Sequence, residues 1–191
     1  MALSATIFKC TLSVADVDHG YYAEHALTLA RHPSETDERM MVRLAALAFH
    51  AHAVQTVCQG DGDIGFGAGL SSPEDPDVRL VDFTGRKRLW IEVGQPLDKP
   101  LLKASQQSDA VAVYAYSHQA EIWWKAEQAK ISRLSKVNVW RIPTEQSQAL
   151  AALAERSMQL QATIQDGAAL ISRGSQTVTV EPERWQEASS R

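Results

Sequence analysis

The sequence predicts an α/β (α+β) fold built on a mixed β-sheet, and three observations carry that expectation. Both ends of the chain alternate apolar and polar residues with period two, as half-buried strands do. One long amphipathic helix follows the first alternating pair. The middle then interleaves short β-branched runs with helical patterns, an order that builds mixed sheets.

The N-terminal hairpin comes first. ATIFKCTLSV alternates, DVDHG supplies turn residues, and YYAEHALTLA resumes the alternation. Pro33 and Ser34 then precede ETDERMMVRLAALAFHAHAV, with Ser34 expected as N-cap and acids in the first turn to favour the helix dipole. Met40, Leu44, Leu47 and Ala51 fall on one face of this helix. Residues 59–76 are rich in Gly, Ser, Asp and Pro and are expected to be a loop. The run Gly60-Asp61-Gly62-Asp63-Ile64-Gly65 matches G-x-G-x-x-G, but it follows a helix, opens none, and carries two carboxylates that would repel a pyrophosphate.

Two short strands, VRLVDF and RKRLWIEVG, are joined through Thr84-Gly85-Arg86. A short helix around LLKASQQS, the strand AVAVYAYS, a helix through AEIWWKAEQAKISRL and the strand VNVWRIP complete the middle. TEQSQALAALAERSM is expected to be a helix opened by a Thr144 cap. LQATIQDGAALISRGSQTVTV has the pattern of a β-meander, with turns at Asp166-Gly167 and Arg173-Gly174. Hairpin and meander together are expected to form an added antiparallel β layer. No repeat or boundary divides the chain, so one domain over 1–191 is predicted.

Composition bounds the function. The chain has 191 residues, 45% hydrophobic and 22% charged, as expected of a globular protein, and no apolar run long enough to span a bilayer. MALSATIFKCTLSV lacks the basic and apolar regions of a signal peptide, so a cytoplasmic protein without membrane partners is expected. Cys10 and Cys58 read as small buried hydrophobes kept reduced. A net charge of −4 argues against a protein that coats nucleic acid. The charge is uneven, however: residues 86–141 hold ten Lys/Arg against five Asp/Glu, a cationic middle that permits contact with an anionic substrate.

Within the Asp77–Glu92 hairpin, Leu89, Ile91 and Val93 form a core strip, so Arg88, Trp90 and Glu92 share the other face. A two-residue turn at Gly85-Arg86 pairs Arg79 with Glu92 and places Asp77 on the Glu92 face; a three-residue turn brings Asp82 there instead. Asp77 is preferred, because a buried Asp82 lacks an evident partner. Two carboxylates converging from neighbouring strands suit a hard cation such as Mg²⁺, with Mn²⁺ as substitute. A solvated sheet face with ordinary surface acids has the same spacing.

Four stretches bear on that choice: LTLARHPSETDERMMVRLAA (27–46), LWIEVGQP (89–96), EIWW (121–124) and MQLQATIQDG (158–167). They resemble the family-wide blocks of the YaeQ proteins, a family similar in fold to the PD-(D/E)XK nuclease superfamily. The resemblance implies a restriction-endonuclease-like core, helix, three strands, helix, strand, at about residues 34–142, and a metal-dependent nuclease acting on nucleic acid. Carried over, Pro76-Asp77 supplies the PD pair, Glu92 the acid of (D/E)xK, and Glu38, or less favourably Glu35, the helix acid. Gly94 stands where the motif's lysine belongs; Lys103 is the preferred substitute and Gln95 the other. The alternative is an inactive nuclease-fold module that binds nucleic acid or a protein partner, for example in transcription.

The remaining candidates are local. Arg31 precedes the long helix and could meet a phosphate; Arg86, Lys87 and Arg88 at the hairpin tip could track a nucleic-acid backbone. Of Trp123 and Trp124, about 100° apart on a helix, one is expected in the core and one half exposed. His50 and His52, two apart on a helix, cannot chelate one metal together and are expected at the surface.

Overall fold

A computed structural model describes residues 4–189; residues 1–3, 190 and 191 of the expected 1–191 domain lie outside the described residues. The chain forms two sheets with helices between and outside them. The N-terminal hairpin is β1 (Thr6–Asp16) and β2 (Tyr21–Arg31), paired antiparallel along all eleven residues of each strand. Strands β8 (Ser157–Gln165), β9 (Ala168–Arg173) and β10 (Gln176–Val180) form the meander. Hairpin and meander merge into one five-stranded sheet, ordered β10-β9-β8-β1-β2. The expected all-antiparallel layer is corrected here: β8 runs parallel to β1, placing Met158 beside Cys10 and Leu160 beside Leu12. That register keeps both buried rows on the core side.

Helix α1 (Asp37–His50) starts later than Ser34. Thr36 is the cap, its Oγ1 accepting from the Arg39 amide at 3.1 Å, while the Ser34 hydroxyl is bonded to the His32 ring. Every residue from Met40 to Ala48 is buried, Arg43 included. A helix buried all round has protein on every side. Here the five-stranded sheet lies on one side and a six-stranded sheet on the other, and residues of α1 and both sheets form one hydrophobic core. The helix ends before the predicted AHAV; a short α2 (Ala53–Thr56) follows a break at residues 51–52.

The second sheet is ordered β11-β7-β6-β5-β4-β3. Its first strand, β3 (Gly62–Phe66), falls in the segment expected to be a loop. Pairing with β4 (Val78–Asp82) supplies the hydrogen bonds that glycine-rich sequence does not advertise. Just past β3, a Cβ on Gly67 would lie 2.0 Å from the Pro76 carbonyl oxygen, so this glycine permits close backbone approach. β5 (Lys87–Val93) pairs antiparallel with β4 and parallel with β6 (Ala110–Ala115), which pairs parallel with β7 (Val137–Arg141). A fourth C-terminal strand, β11 (Glu183–Gln186), joins β7 and has no counterpart in the predicted elements.

Helices α3 (Asp98–Gln107) and α4 (Gln119–Ile131) cover the outer face of this sheet, over a second cluster that includes Trp90, Leu101, Val113 and Trp123. Trp123 is buried and Trp124 half-buried, as their spacing predicts. Helix α5 (Thr144–Ala151) packs on α1; Pro143 is its cap, Thr144 its first residue, and Glu155-Arg156 belong to the link into β8, not to the helix. Among the described residues no helix is long and apolar enough to cross a membrane. Cys10 and Cys58 are buried and free, and burial pushes the Cys10 thiol up to about 12.

Candidate functional site

The β4–β5 register settles which acid faces Glu92. Val78 pairs with Ile91, Arg79 with Trp90 and Leu80 with Leu89, and a bulge then sets Val81 against Lys87. Arg79 therefore opposes Trp90 and not Glu92, a correction of two residues to the two-residue-turn register. A shift of two leaves every side chain on its original face. Continued one residue past Val78, this register sets Asp77 opposite Glu92, and the Asp77 amide donates to the Ile91 carbonyl at 3.0 Å. Asp82 remains at the hairpin turn, where its carboxylate accepts from Thr84, the Arg86 amide and Arg88.

Asp77 is 1% exposed. Its Oδ2 accepts from the Val93 amide at 2.8 Å, and Arg39 Nη2 donates to Oδ1 at 2.8 Å and Oδ2 at 2.9 Å. The same nitrogen also donates to the Val93 carbonyl at 3.1 Å, while Arg39 Nη1 donates to Glu35 Oε1 at 2.9 Å. Arg43, fully buried, donates to Glu35 Oε2 at 2.8 Å and extends the chain of charges. Burial opposes the Arg39 charge, but Asp77 and Glu35 outweigh it and hold the guanidinium pKa above its ordinary value.

Glu92 completes the group. Its Oε1 accepts from the Trp90 indole N–H at 2.6 Å, and it is close enough to Asp77 to feel that carboxylate's charge. Burial first, and the Asp77 charge second, push the Glu92 carboxyl up to about 7, against the pull of Trp90 and Arg39. The buried Asp77 and the half-buried Glu92 thus bring carboxyl oxygens from adjoining segments toward one place. The oxygens of Asp77, Glu92 and the Val93 carbonyl form a hard-donor set that fits Mg²⁺ in kind. At the Asp77 and Val93 oxygens, a guanidinium nitrogen holds the corresponding place.

The other predicted residues do not converge here. Glu38 accepts from the Ser147 hydroxyl at 2.7 Å and ties α1 to α5; the helix acid in the network is Glu35. Lys103 forms an ion pair with Glu74. Gln95 donates to the Tyr116 carbonyl at 2.7 Å, beside an open pocket lined by His118, Ile122 and Trp123. Gly94 has φ +110°, and a Cβ there meets nothing within 4 Å: space exists for a side chain, but the strand has already ended. Arg31 pairs with Asp37. Arg86 and Arg88 share Asp109, and Lys87 lies over the Trp90 ring at 4.8 Å. This tip stands at the other end of β5, roughly 15 Å from Glu92 at strand rise.

Sequence reasoning missed Arg39 and Arg43. Their spacing of four and eight residues from Glu35, which lies just before the Thr36 cap, was the available signal. It also misplaced His50, which is wedged against Tyr114 with Nε2 2.9 Å from the hydroxyl; burial, then His52 and His19, push its pKa down to about 3.

A family model described as "YaeQ protein" matches residues 1–182. Relatives named "Uncharacterized protein YaeQ" from Salmonella typhi and from Escherichia coli (strain K12) are each 40% identical over 190 residues, covering 99% of this chain and 100% of the relative. The crystal structure of YaeQ protein from Xanthomonas axonopodis pv. citri is similar at 40% identity and a TM-score of 0.86, covering 96% of this chain and 99% of that one. The corresponding structure from Pseudomonas syringae is similar at 30% identity and 0.86, covering 96% and 97%. The chain belongs to the YaeQ family.

Proposed function

We propose that this chain is a divergent metal-dependent phosphodiesterase of PD-(D/E)XK type, acting on nucleic acid in the cytoplasm. The observation that carries the proposal is the buried Asp77, just before β4, beside the half-buried Glu92 of β5, whose carboxyl burial and the Asp77 charge raise to about 7. Buried carboxyl pairs with shifted pKa cluster at functional sites. Apart from the short α2 and a 3-10 turn after β3, the order α1, β3, β4, β5, α3, β6 follows that superfamily's helix, three strands, helix, strand, which supports a restriction-endonuclease-like core. Free buried cysteines fit a reducing compartment.

In this role Asp77, Glu92 and the Val93 carbonyl hold Mg²⁺, or Mn²⁺ in its place. When bound, the ion supplies polarisation of the phosphodiester and a lowered pKa for an attacking water. Arg39 leaves Asp77 and turns its planar fork to a phosphate oxygen. Lys103 and Gln95, the candidate substitutes for the side chain Gly94 lacks, would have to leave Glu74 and the Tyr116 carbonyl to reach the carboxyls. Arg31 would add cationic contact to a strand once released from Asp37, and Arg86, Lys87 and Arg88 meet a longer strand at the far end of β5.

A non-catalytic role, binding nucleic acid or a protein partner, is favoured by Arg39 Nη2 holding the cation's place at Asp77 and Val93 and by Gly94. One experiment separates the two. Tag-free protein is incubated with Mg²⁺ or Mn²⁺ and a panel of single- and double-stranded DNA and RNA. Cation-dependent cleavage lost in Glu92→Ala supports the enzyme. Cleavage that persists in that variant is contamination, and salt-dependent binding without turnover supports the module.

A further inference from the structure

Outside the hairpin site, a second buried aspartate is assembled with two histidines. Asp16 closes β1 and is 0% exposed. Its Oδ1 accepts from the His19 amide at 3.1 Å, and its Oδ2 lies 2.9 Å from His19 Nδ1. His52, at the break after α1, stacks on His19 with ring centroids 3.5 Å apart and planes within 1°. One ligand atom from each of Asp16, His19 and His52 lies within 4.8 Å of the other two. Among the described residues no lysine or arginine pairs with Asp16, whose ionic partner is His19 alone. A buried carboxylate facing only imidazoles lacks a permanent cation.

We propose that Asp16, His19 and His52 form a binding site for a borderline divalent transition ion, with Zn²⁺ as the representative. Imidazole with carboxylate is a donor set that such ions take. Donors each about 2.1 Å from one ion stand about 3.0 Å apart at a right angle and about 3.4 Å apart at the tetrahedral angle. The 2.9 Å between Asp16 Oδ2 and His19 Nδ1 already matches the first value, with a proton where the ion would bind.

His52 is set up by a neighbour. The Thr56 hydroxyl donates to the His52 carbonyl at 3.2 Å, which uses its one proton. Its oxygen therefore accepts from His52 Nδ1, 3.0 Å away, and the lone pair is left on Nε2. This is the outer-shell bond that orients a ligating imidazole. Parallel rings cannot aim two in-plane lone pairs at one ion, so binding opens the stack. His19, with a 43% exposed side chain in the 17–20 turn, is the ring free to rotate. Three protein donors leave positions for water, as in open zinc sites.

The test is calorimetric titration of metal-stripped, tag-free protein with Zn²⁺, backed by the visible spectrum of the Co²⁺ form. Apart from any ion held at the hairpin, one equivalent that depends on the two histidines is expected to bind. His19→Ala and His52→Ala each weaken it at least about tenfold, and Thr56→Val, which removes only the orienting group, weakens it about tenfold. Glu92→Ala, which removes any ion held at the hairpin, keeps the histidine-dependent equivalent, and this separates the two sites. Asp16→Asn also weakens binding and is scored only where its unfolding curve is cooperative; the two partly exposed histidines carry the test without it. An isotherm unchanged in either histidine variant, or loss of the histidine-dependent equivalent in Glu92→Ala, overturns the proposal.

Discussion

Asp77 and Asp16 are both buried aspartates at the end of a strand, and they are neutralised in opposite ways. Asp77 faces the guanidinium of Arg39, itself tied through Glu35 to buried Arg43. Asp16 faces an imidazole that is half exposed and stacked on another. A guanidinium cannot lose its proton and has a planar fork, so it fixes its partner. An imidazole changes protonation and exchanges a proton for a metal, so it leaves its partner switchable. The first arrangement is a strut as well as a candidate reaction centre; the second is a socket.

The contrast is tested most heavily at Arg39. Arg39→Met leaves Asp77 and Glu35 buried with one fewer cation, and is expected to cost about 3–5 kcal/mol in urea unfolding at pH 7. A loss below about 1 kcal/mol would mean the network is not structural.

Glu92 gives the next effect. Its folded pKa is raised from 4.5 to about 7, so between those values the folded state holds a proton that the unfolded state has released. Stability from this group therefore falls as pH rises through that window, with the penalty absent below 4.5 and complete above 7. Glu92→Gln should remove a slope worth on the order of 2–3 kcal/mol across pH 4.5–8. Unfolding curves that keep the wild-type slope in the variant would assign the raised pKa elsewhere.

His19→Ala without metal should cost only about 1–2 kcal/mol, the penalty for one lost partner of a buried acceptor. A cost equal to that of Arg39→Met would erase the distinction between strut and socket. Smallest is Ser147→Ala, about 1 kcal/mol for the lost bond to Glu38, with any cation-dependent cleavage unchanged. An effect on cleavage would return Glu38 to the site.

Much of the fold was legible because its signals are local. Alternation in ATIFKCTLSV and in the meander, and the apolar stripe of α1, each follow from neighbouring residues. β3 was hidden because glycines carry no side-chain pattern, and its strand character comes from pairing with β4. The parallel β1–β8 pairing was hidden because it joins segments about 150 residues apart. At the site, face parity identified Asp77 even though the register was off by two. Arg39 went unread because an arginine on a helix has the pattern of a solvent face until the strand it reaches is known. The His19–Asp16–His52 group was invisible for the same reason, since it joins a hairpin turn to the far end of a helix.

The hairpin account is met most directly by a crystal grown with Mn²⁺ and measured for anomalous scattering. The account predicts a peak roughly 2.1 Å from oxygens of Asp77 and Glu92, with Arg39 swung away from Asp77. Arg39 still bonded to Asp77 and Val93, with no peak between the carboxyls at saturating Mn²⁺, would contradict it.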